Sequence, residues 1–103
     1  HAAKAEGEIM IDRGAARAVV RDGASLLPAG ITGIRGGFDA GAVIDIRGTD
    51  GGVVARGLAS YSAADLDKIR GRRSDEIEGL LGYLYAEEAV HRTDMQVLIG
   101  DVP

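Results

Sequence analysis

The stretch Val43-Ile44-Asp45-Ile46-Arg47-Gly48-Thr49-Asp50-Gly51-Gly52-Val53 carries the strongest local signal of secondary structure in this chain. Apolar and polar residues alternate along Val43–Arg47, which is typical of a strand with one buried face. Asp50-Gly51 then supplies residues that accept a positive φ, and apolar residues resume at Val53. The stretch therefore predicts a β-hairpin whose turn is centred on Asp50-Gly51.

The position of this turn also sets the register of the hairpin. We expect Ile44 and Ile46 to share the buried face, because a shift of one residue would turn both outward. Their predicted cross-strand partners, Ala55 and Gly57, are small and leave room above the two isoleucines. We expect the side of a later helix that carries Leu80 and Leu81 to fill this room. The predicted pairs are Ile46 with Ala55, Ile44 with Gly57 and Asp45 with Arg56. The last pair carries opposite charges, so an ion pair there would report the register.

Two further strands and a helix are predicted before the hairpin. Residues 8–12 alternate as Glu-Ile-Met-Ile-Asp, which suits a short strand with both isoleucines on one face. Asp12 is a good N-cap for a helix over Arg13–Asp22, and Gly23 is a residue that tolerates the left-handed conformation of a helix end. After a loop, Ile31–Arg35 returns to a strand. The face of the helix that we expect to be buried carries Ala16, Val19 and Val20.

Two helices and a strand-like tail are predicted after the hairpin. Ser62 caps one helix, with Asp65 three residues on as a variant of the capping box, and Gly71 stops it. Ser74 caps the next helix, which Gly82 closes. The residues of this helix that we expect to face inward are Ile77, Leu80 and Leu81. Residues 89–99 then offer one or two more strands, broken around Thr93-Asp94.

The order β-α-β-β-β-α-α-β-β predicts an α+β domain with a small, partly closed sheet. A chain of 103 residues fits one domain. Residues 1–6 lack apolar periodicity and are interpreted as a linker or a tag remnant, so the domain spans residues 7–103. No run approaches the ~18 apolar residues of a membrane span. The absence of cysteine is compatible with a reducing cytoplasm, where we expect the protein to reside.

Catalytic, cofactor and metal sites are not expected in this chain. His91 is the one internal histidine, and no nucleophile stands at a recognisable spacing from it, so a structural role is favoured. With two histidines and no cysteine, the clustered ligands of a zinc site are missing. The glycines of residues 33–37 lack the Gly-Lys-Ser/Thr ending of a nucleotide loop and are interpreted as a turn. The acid pairs Asp75/Glu76 and Glu87/Glu88 are interpreted as helix-start and surface charges.

A nucleic-acid surface is the alternative to weigh. Arg13, Arg17 and Arg21 recur every four residues, which aligns them on one face of the first helix. A second group, Arg70, Arg72 and Arg73, falls in the turn between the later helices. Three properties disfavour RNA binding: the net charge of −4, the sequence pI of about 5.0 and an aromatic content of 4%. We therefore interpret the stripe as a solvated face and the second group as complementing helix C-termini.

Four segments resemble a known family. They are residues 71–78 (Gly-Arg-Arg-Ser-Asp-Glu-Ile-Glu), Leu81-Gly82-Tyr83, Val90-His91-Arg92, and upstream residues 25–31 (Ser-Leu-Leu-Pro-Ala-Gly-Ile). Together they resemble the C-terminal PUA domain of bacterial glutamate 5-kinases, and the resemblance runs from about Gly7 to Met95. In one departure from the family pattern, Thr93 stands between the His-Arg pair and Asp94, which affects the register of the last strand.

The resemblance implies a PUA-like small mixed-sheet pseudobarrel with short helices. It also implies that the kinase domain, which uses ATP and Mg to phosphorylate L-glutamate in the first step of proline biosynthesis, is a separate domain that precedes this one. This fragment would then hold no cofactor and act through its own kinase domain or other subunits of a homo-oligomer. The competing interpretation is an RNA-binding module of an RNA-modifying enzyme, which the net charge disfavours. The contact residues for RNA or a partner would be Arg13, Arg17, Arg21, Pro28, Gly30, Ile31, Arg72 and Arg73.

Overall fold

Five strands and three α-helices form the part of the chain that the computed structural model describes, residues 4–102. The strands are β1 (Gly7–Ile11), β2 (Ile31–Arg35), β3 (Val43–Arg47), β4 (Val53–Leu58) and β5 (Met95–Val97). The helices are α1 (Arg13–Asp22), α2 (Ala63–Ile69) and α3 (Ile77–Leu81). Single 3₁₀ turns lie at Pro28–Gly30, Ser74–Glu76 and Arg92–Asp94.

The strands form one mixed sheet in the order β2-β1-β3-β4-β5. β1 runs parallel to β3, and the other neighbours are antiparallel. The predicted α+β class with a small mixed sheet is confirmed, and the sheet does not close into a barrel. An isolated antiparallel bridge between Leu26 and Val90 ties the loop after α1 to the segment before β5.

The hairpin has the predicted register through Ile46, but the pairing shifts by one residue between Ile46 and Arg47. Gly51 N donates to Gly48 O at 3.0 Å, so the turn is centred on Thr49-Asp50 rather than on Asp50-Gly51. Ile46 pairs with Ala55, Ile44 with Gly57 and Asp45 with Arg56. Both isoleucines are fully buried, and Arg56 Nε lies 2.9 Å from Asp45 Oδ1 on the other face of the sheet. Gly51 has a φ of 86°, so the turn requires the residue that the sequence places there.

The caps predicted for the first two helices are confirmed. The Asp12 carboxylate accepts a hydrogen bond from Ala15 N at 2.8 Å, and Gly23 ends α1 with a φ of 65°. Ser62 Oγ accepts from Asp65 N at 3.2 Å at the start of α2. The Asp65 carboxylate binds the Tyr83 hydroxyl, so the variant capping box is replaced by a tertiary contact.

The third helix differs from the prediction. Ser74 does not cap it: its hydroxyl donates to Glu87 O at 2.9 Å, and the Glu76 carboxylate accepts from Arg73 N at 2.8 Å. Ile77 is buried as expected and Leu81 is half-buried, but Leu80 is exposed. With a 3₁₀ turn first and five α-helical residues after it, the helix is too short to bury both leucines.

A different element lies beside Gly57. A Cβ atom built there would approach Val90 Cγ1 at 2.7 Å and Asp94 O at 2.8 Å, so the C-terminal segment occupies this space rather than α3. The tail does contain a bridge and a strand separated by the 3₁₀ turn Arg92–Asp94, as predicted.

The buried apolar side chains form one core cluster between the sheet and the helices. Within residues 4–102, every buried side-chain nitrogen and oxygen has a hydrogen-bond partner. Of the predicted linker, residues 1–3 lie outside the described range. Glu6 N donates to Val43 O at 2.8 Å, so the last linker residue is already docked against the sheet.

Candidate functional site

The basic stripe on α1 is present, but its three members differ. Arg13, Arg17 and Arg21 are all exposed. Arg21 Nε lies 2.6 Å from Asp101 Oδ1, and this guanidinium holds the pKa of the Asp101 carboxyl below its usual value. No acidic side chain of residues 4–102 lies within ion-pair distance of Arg13 or Arg17. These two arginines are therefore the ones available to an anionic partner.

A groove of about 310 Å³ lies between α1 and the loop of residues 24–30. Small side chains, among them Gly14, Ala15 and Ala18, form its helical wall. A Cβ atom at Gly30 would lie 2.3 Å from Ala15 Cβ, so only glycine permits the loop to approach the helix this closely. The predicted contact residue Gly30 thus shapes the groove through its lack of a side chain.

Two other predicted contact residues do not line the groove. Pro28 and Ile31 are buried, so their side chains contribute to the core rather than to an exposed surface. Pro28 O accepts from Gly71 N at 2.8 Å. This bond brings the turn of residues 70–73, with its arginines, next to the loop that borders the groove.

The second basic group is neutralised by its own segment. Arg72 Nη2 lies 2.9 Å from Glu76 Oε1, and Arg73 Nε lies 3.0 Å from Asp75 Oδ1. The Arg72 side chain, followed by the backbone N–H of Arg73, lowers the pKa of Glu76 to about 2. Arg72 and Arg73 therefore present little net positive charge. From the sequence, Asp75 and Glu76 are interpreted only as helix-start charges, and their ion pairs with these arginines are not predicted.

A larger hollow of about 690 Å³ was not predicted. It lies where the end of β4, residues 83–88 and the turn Arg92–Asp94 meet. Its lining includes Leu58, Tyr83, Tyr85, Glu88, His91 and Asp94. These residues come from three separate parts of the sequence, so no sequence motif predicts that they lie together. The one available signal was the pair of tyrosines next to two glutamates at residues 83–88.

A buried tyrosine organises the wall of this hollow. Tyr61 is 1% exposed, and its hydroxyl donates to Ala86 O at 2.5 Å. The same oxygen accepts from the backbone N–H groups of Tyr85 and Ala86 at 3.0 and 2.8 Å. Its ring centroid lies 5.8 Å from that of Tyr83 and 6.2 Å from that of Tyr85. The exposed loop is therefore held in place by one core side chain.

Local hydrogen bonds fix two further groups of the lining. The Tyr83 hydroxyl donates to Asp65 Oδ2 at 2.5 Å, which raises the pKa of Tyr83 to about 12. His91 Nδ1 lies 2.7 Å from Thr93 Oγ1 and accepts from Thr93 N at 3.2 Å. The predicted structural histidine thus has local partners, and its ring also borders the hollow.

The other candidate sites remain without support. Within residues 4–102, no group of three or more His, Cys, Asp or Glu side chains is placed to hold a metal ion. The glycine cluster follows a strand: Gly36, with a φ of 93°, comes directly after β2 and does not open a helix. In the same described range, no helix has the length and apolar character needed to cross a membrane.

Comparison with protein families gives a direct match. The family model described as PUA domain matches residues 7–81. The glutamate 5-kinase of Myxococcus xanthus is 47% identical over 98 residues, which is 95% of this chain and 26% of that protein. The glutamate 5-kinase of Xanthomonas axonopodis pv. citri is 49% identical over 102 residues, covering 95% of this chain and 28% of that protein. The chain therefore spans about a quarter of the length of these relatives.

Comparison with solved structures supports the same fold. A PUA domain from Aeropyrum pernix, crystallised as a tartrate complex, superposes with a TM-score of 0.60 at 26% identity. That match covers 84% of this chain and 43% of the other. The archaeal box H/ACA sRNP Nop10-Cbf5 complex gives a TM-score of 0.59 at 23% identity, over 94% of this chain and 25% of the other. The second match carries information on the fold alone.

Proposed function

This chain belongs to the PUA domain family, and we propose that it serves as the non-catalytic C-terminal domain of a glutamate 5-kinase. The observation that carries the proposal is an identity of 47% over 95% of this chain with a glutamate 5-kinase about four times as long. The full-length polypeptide would transfer the γ-phosphoryl group of ATP to L-glutamate, using Mg, in the first step of proline biosynthesis. ATP and Mg would bind outside this domain, and the enzyme would act in the cytoplasm.

The role proposed for the domain is regulatory, through contact with the kinase domain of its own polypeptide or with other subunits of a homo-oligomer. Two features support a role in contact rather than in chemistry. His91 Nδ1 lies within hydrogen-bond distance of the Thr93 hydroxyl, but no side chain of residues 4–102 hydrogen-bonds the other ring nitrogen, so the group that would orient the base in a nucleophile–base–orienter set is missing there. The loop of residues 83–85 exposes two tyrosines, a residue type enriched at interfaces, together with the apolar side chain of Leu84.

A pair of assays tests this proposal. This chain and the full-length polypeptide would each be incubated with ATP, Mg and L-glutamate, and the acyl phosphate trapped with hydroxylamine. We expect product with the full-length polypeptide and none above a buffer blank with this chain. Turnover by this chain alone would contradict a non-catalytic role.

A deletion tests the regulatory part. Removing residues 7–103 from the full-length polypeptide should leave phosphorylation measurable but change its KM for glutamate or its response to end product. Kinetic parameters identical to those of the full-length polypeptide would contradict regulation by this domain.

RNA contact is a second candidate function. The observation that favours it is the position of Arg13 and Arg17 on the exposed face of the helix that forms one wall of the groove, without acidic partners in the described part of the chain. Guanidinium groups in this setting can bind phosphates. The net charge of −4 and the neutralisation of Arg72 and Arg73 count against a wide RNA footprint.

A further inference from the structure

We propose that the hollow beside Tyr83, Tyr85, Glu88 and Asp94 is a docking site for an arginine or lysine side chain presented by the kinase part of the same polypeptide. The chemistry of the occupant follows from the lining of the hollow. The identification of its source rests on the proposed function. We call this feature the tyrosine–acid hollow.

The two carboxylates that line the tyrosine–acid hollow favour a positively charged occupant. Glu88 is half-buried, Asp94 is exposed at the rim, and neither makes an ion pair with a side chain of residues 4–102. No lysine or arginine borders the hollow, and His91 is engaged by Thr93. Elsewhere, half-buried acids such as Glu8 and Asp45 are paired with arginines. A partly desolvated carboxylate gains more from a cation than an exposed one does, so Glu88 is the anchor.

The aromatic lining favours the same occupant. Tyr83 is 45% exposed and Tyr85 is 74% exposed, whereas the other two aromatic residues, Phe38 and Tyr61, are buried. Rings at such positions attract ammonium and guanidinium groups through their π faces. Contacts with Tyr61 and the bond from Tyr83 to Asp65 already hold the rings, so binding costs little side-chain entropy.

An apolar rim completes the match to a long basic side chain. Leu58 is 41% exposed and lines the hollow, together with the small residues Ala40, Ala59 and Ala86. The methylene stem of lysine or arginine packs on such a surface while its charged end reaches the carboxylates. A carboxylate or phosphate ligand would instead meet two unpaired acids.

The position of the tyrosine–acid hollow identifies the source of the cation. Glu6 N binds Val43 O, so the chain enters the domain at the start of β3. Val43 pairs with Leu58, which lines the hollow. Because neighbouring strands lie ~4.8 Å apart, the hollow begins about 10 Å across the sheet from the entering chain. In the glutamate 5-kinase relatives the matched region is C-terminal, so the kinase part would join at this end of β1 and β3.

The chemistry can be tested with this chain and a minimal probe. The ¹⁵N-labelled chain would be titrated with the peptide acetyl-Gly-Arg-Gly-amide. We expect saturable shifts in the amides of residues 58–60, 83–88 and 91–94, and binding weakened about 3- to 10-fold in Glu88→Gln. Asp22→Asn, which removes the same charge from an exposed site on α1, is the matched control and should bind like the wild type.

The results of this titration distinguish binding at a specific site from non-specific attraction by the net negative charge of the chain. Equal weakening in Asp22→Asn and Glu88→Gln would show that net charge alone attracts the peptide, and would overturn the proposal. Absence of saturable shifts at these amides would also overturn it. Neither result would alter the proposed function, which is measured by glutamate phosphorylation in the full-length polypeptide.

The source can be tested by hydrogen exchange in the full-length polypeptide. Amides of residues 83–91 should exchange more slowly there than in this chain alone, and Glu88→Gln should remove the difference. If the peptide binds but the full-length polypeptide shows no added protection, the kinase part is not the occupant. Concentration-dependent shifts of the same amides in this chain alone would identify a second copy as the occupant and likewise overturn the assignment.

Discussion

Gly57 lies against Val90 so closely that a Cβ atom at residue 57 would come within 2.7 Å of Val90 Cγ1. The same atom would approach the backbone of the C-terminal segment, at 2.8 Å from Asp94 O. Gly57 also pairs with the fully buried Ile44 across the hairpin. The absence of a side chain at one position of β4 therefore lets residues 90–95 pack closely against the hairpin.

We expect Gly57→Ala to lower the free energy of unfolding by ~1–3 kcal/mol, because the backbone of residues 94–95 cannot move aside without breaking its pairing with β4. Urea denaturation measures the change. Gly79→Ala is the matched control, since a Cβ atom there meets nothing within 4 Å and helix propensity favours alanine by up to ~1 kcal/mol. Equal stability of Gly57→Ala and wild type would show that the tail is not tightly packed on β4.

Tyr61→Phe should destabilise the protein by ~1–3 kcal/mol, because it removes a buried hydroxyl that serves the backbone of Tyr85 and Ala86. Hydrogen exchange should accelerate at these two amides in particular. Tyr85→Phe removes a hydroxyl with no partner among residues 4–102 and is expected to stay within ~0.5 kcal/mol of the wild type. A similar effect of both substitutions on stability and exchange would contradict the role assigned to Tyr61.

Arg72→Gln should raise the pKa of Glu76 from about 2 towards its ordinary value, because the Arg72 side chain is the largest cause of the depression. The backbone N–H of Arg73 should keep part of the shift. A depressed pKa stabilises the fold above the ordinary glutamate value, and this contribution is lost as pH falls through about 2. Carbon-13 NMR titration of the Glu76 carboxyl measures the shift. Arg17→Gln, which changes a residue of the basic stripe on α1, is the control and should leave the pKa of Glu76 unchanged.

Any RNA binding by this chain should be weak and salt-sensitive, and Arg17→Ala should reduce it more than Arg21→Ala does. Arg21 is engaged by Asp101, whereas Arg17 has no acidic partner in the described chain. Losing one phosphate contact should lower the slope of log affinity against log salt by ~1. Fluorescence anisotropy with a structured RNA across a salt series measures both quantities. Sub-micromolar binding at physiological salt would favour the RNA module over the kinase domain.

Local rules accounted for much of the fold. The register of the hairpin through Ile46 follows from strand alternation and a short turn, and the caps at Asp12 and Gly23 involve contacts within one or two helical turns. These interactions join residues close in sequence, so residue type and spacing decide them. The same rules missed the partner of Ser74, whose hydroxyl binds Glu87 O thirteen positions away rather than its own helix. They also placed the leucines of α3 over the hairpin, where Val90 lies.

The candidate sites depended more on tertiary structure. Spacing alone aligned the arginines of α1, but only the folded chain brought Asp101 to Arg21 across a separation of 80 residues. The tyrosine–acid hollow likewise required Tyr61 to reach the backbone of Ala86, 25 residues away. Sequence by itself determined most of the secondary structure, the hairpin register through Ile46 and the family, because these rest on short-range patterns. Which charges are paired and which cavity is lined were decided by long-range packing, since a residue's neighbours in space are set only when the whole core closes.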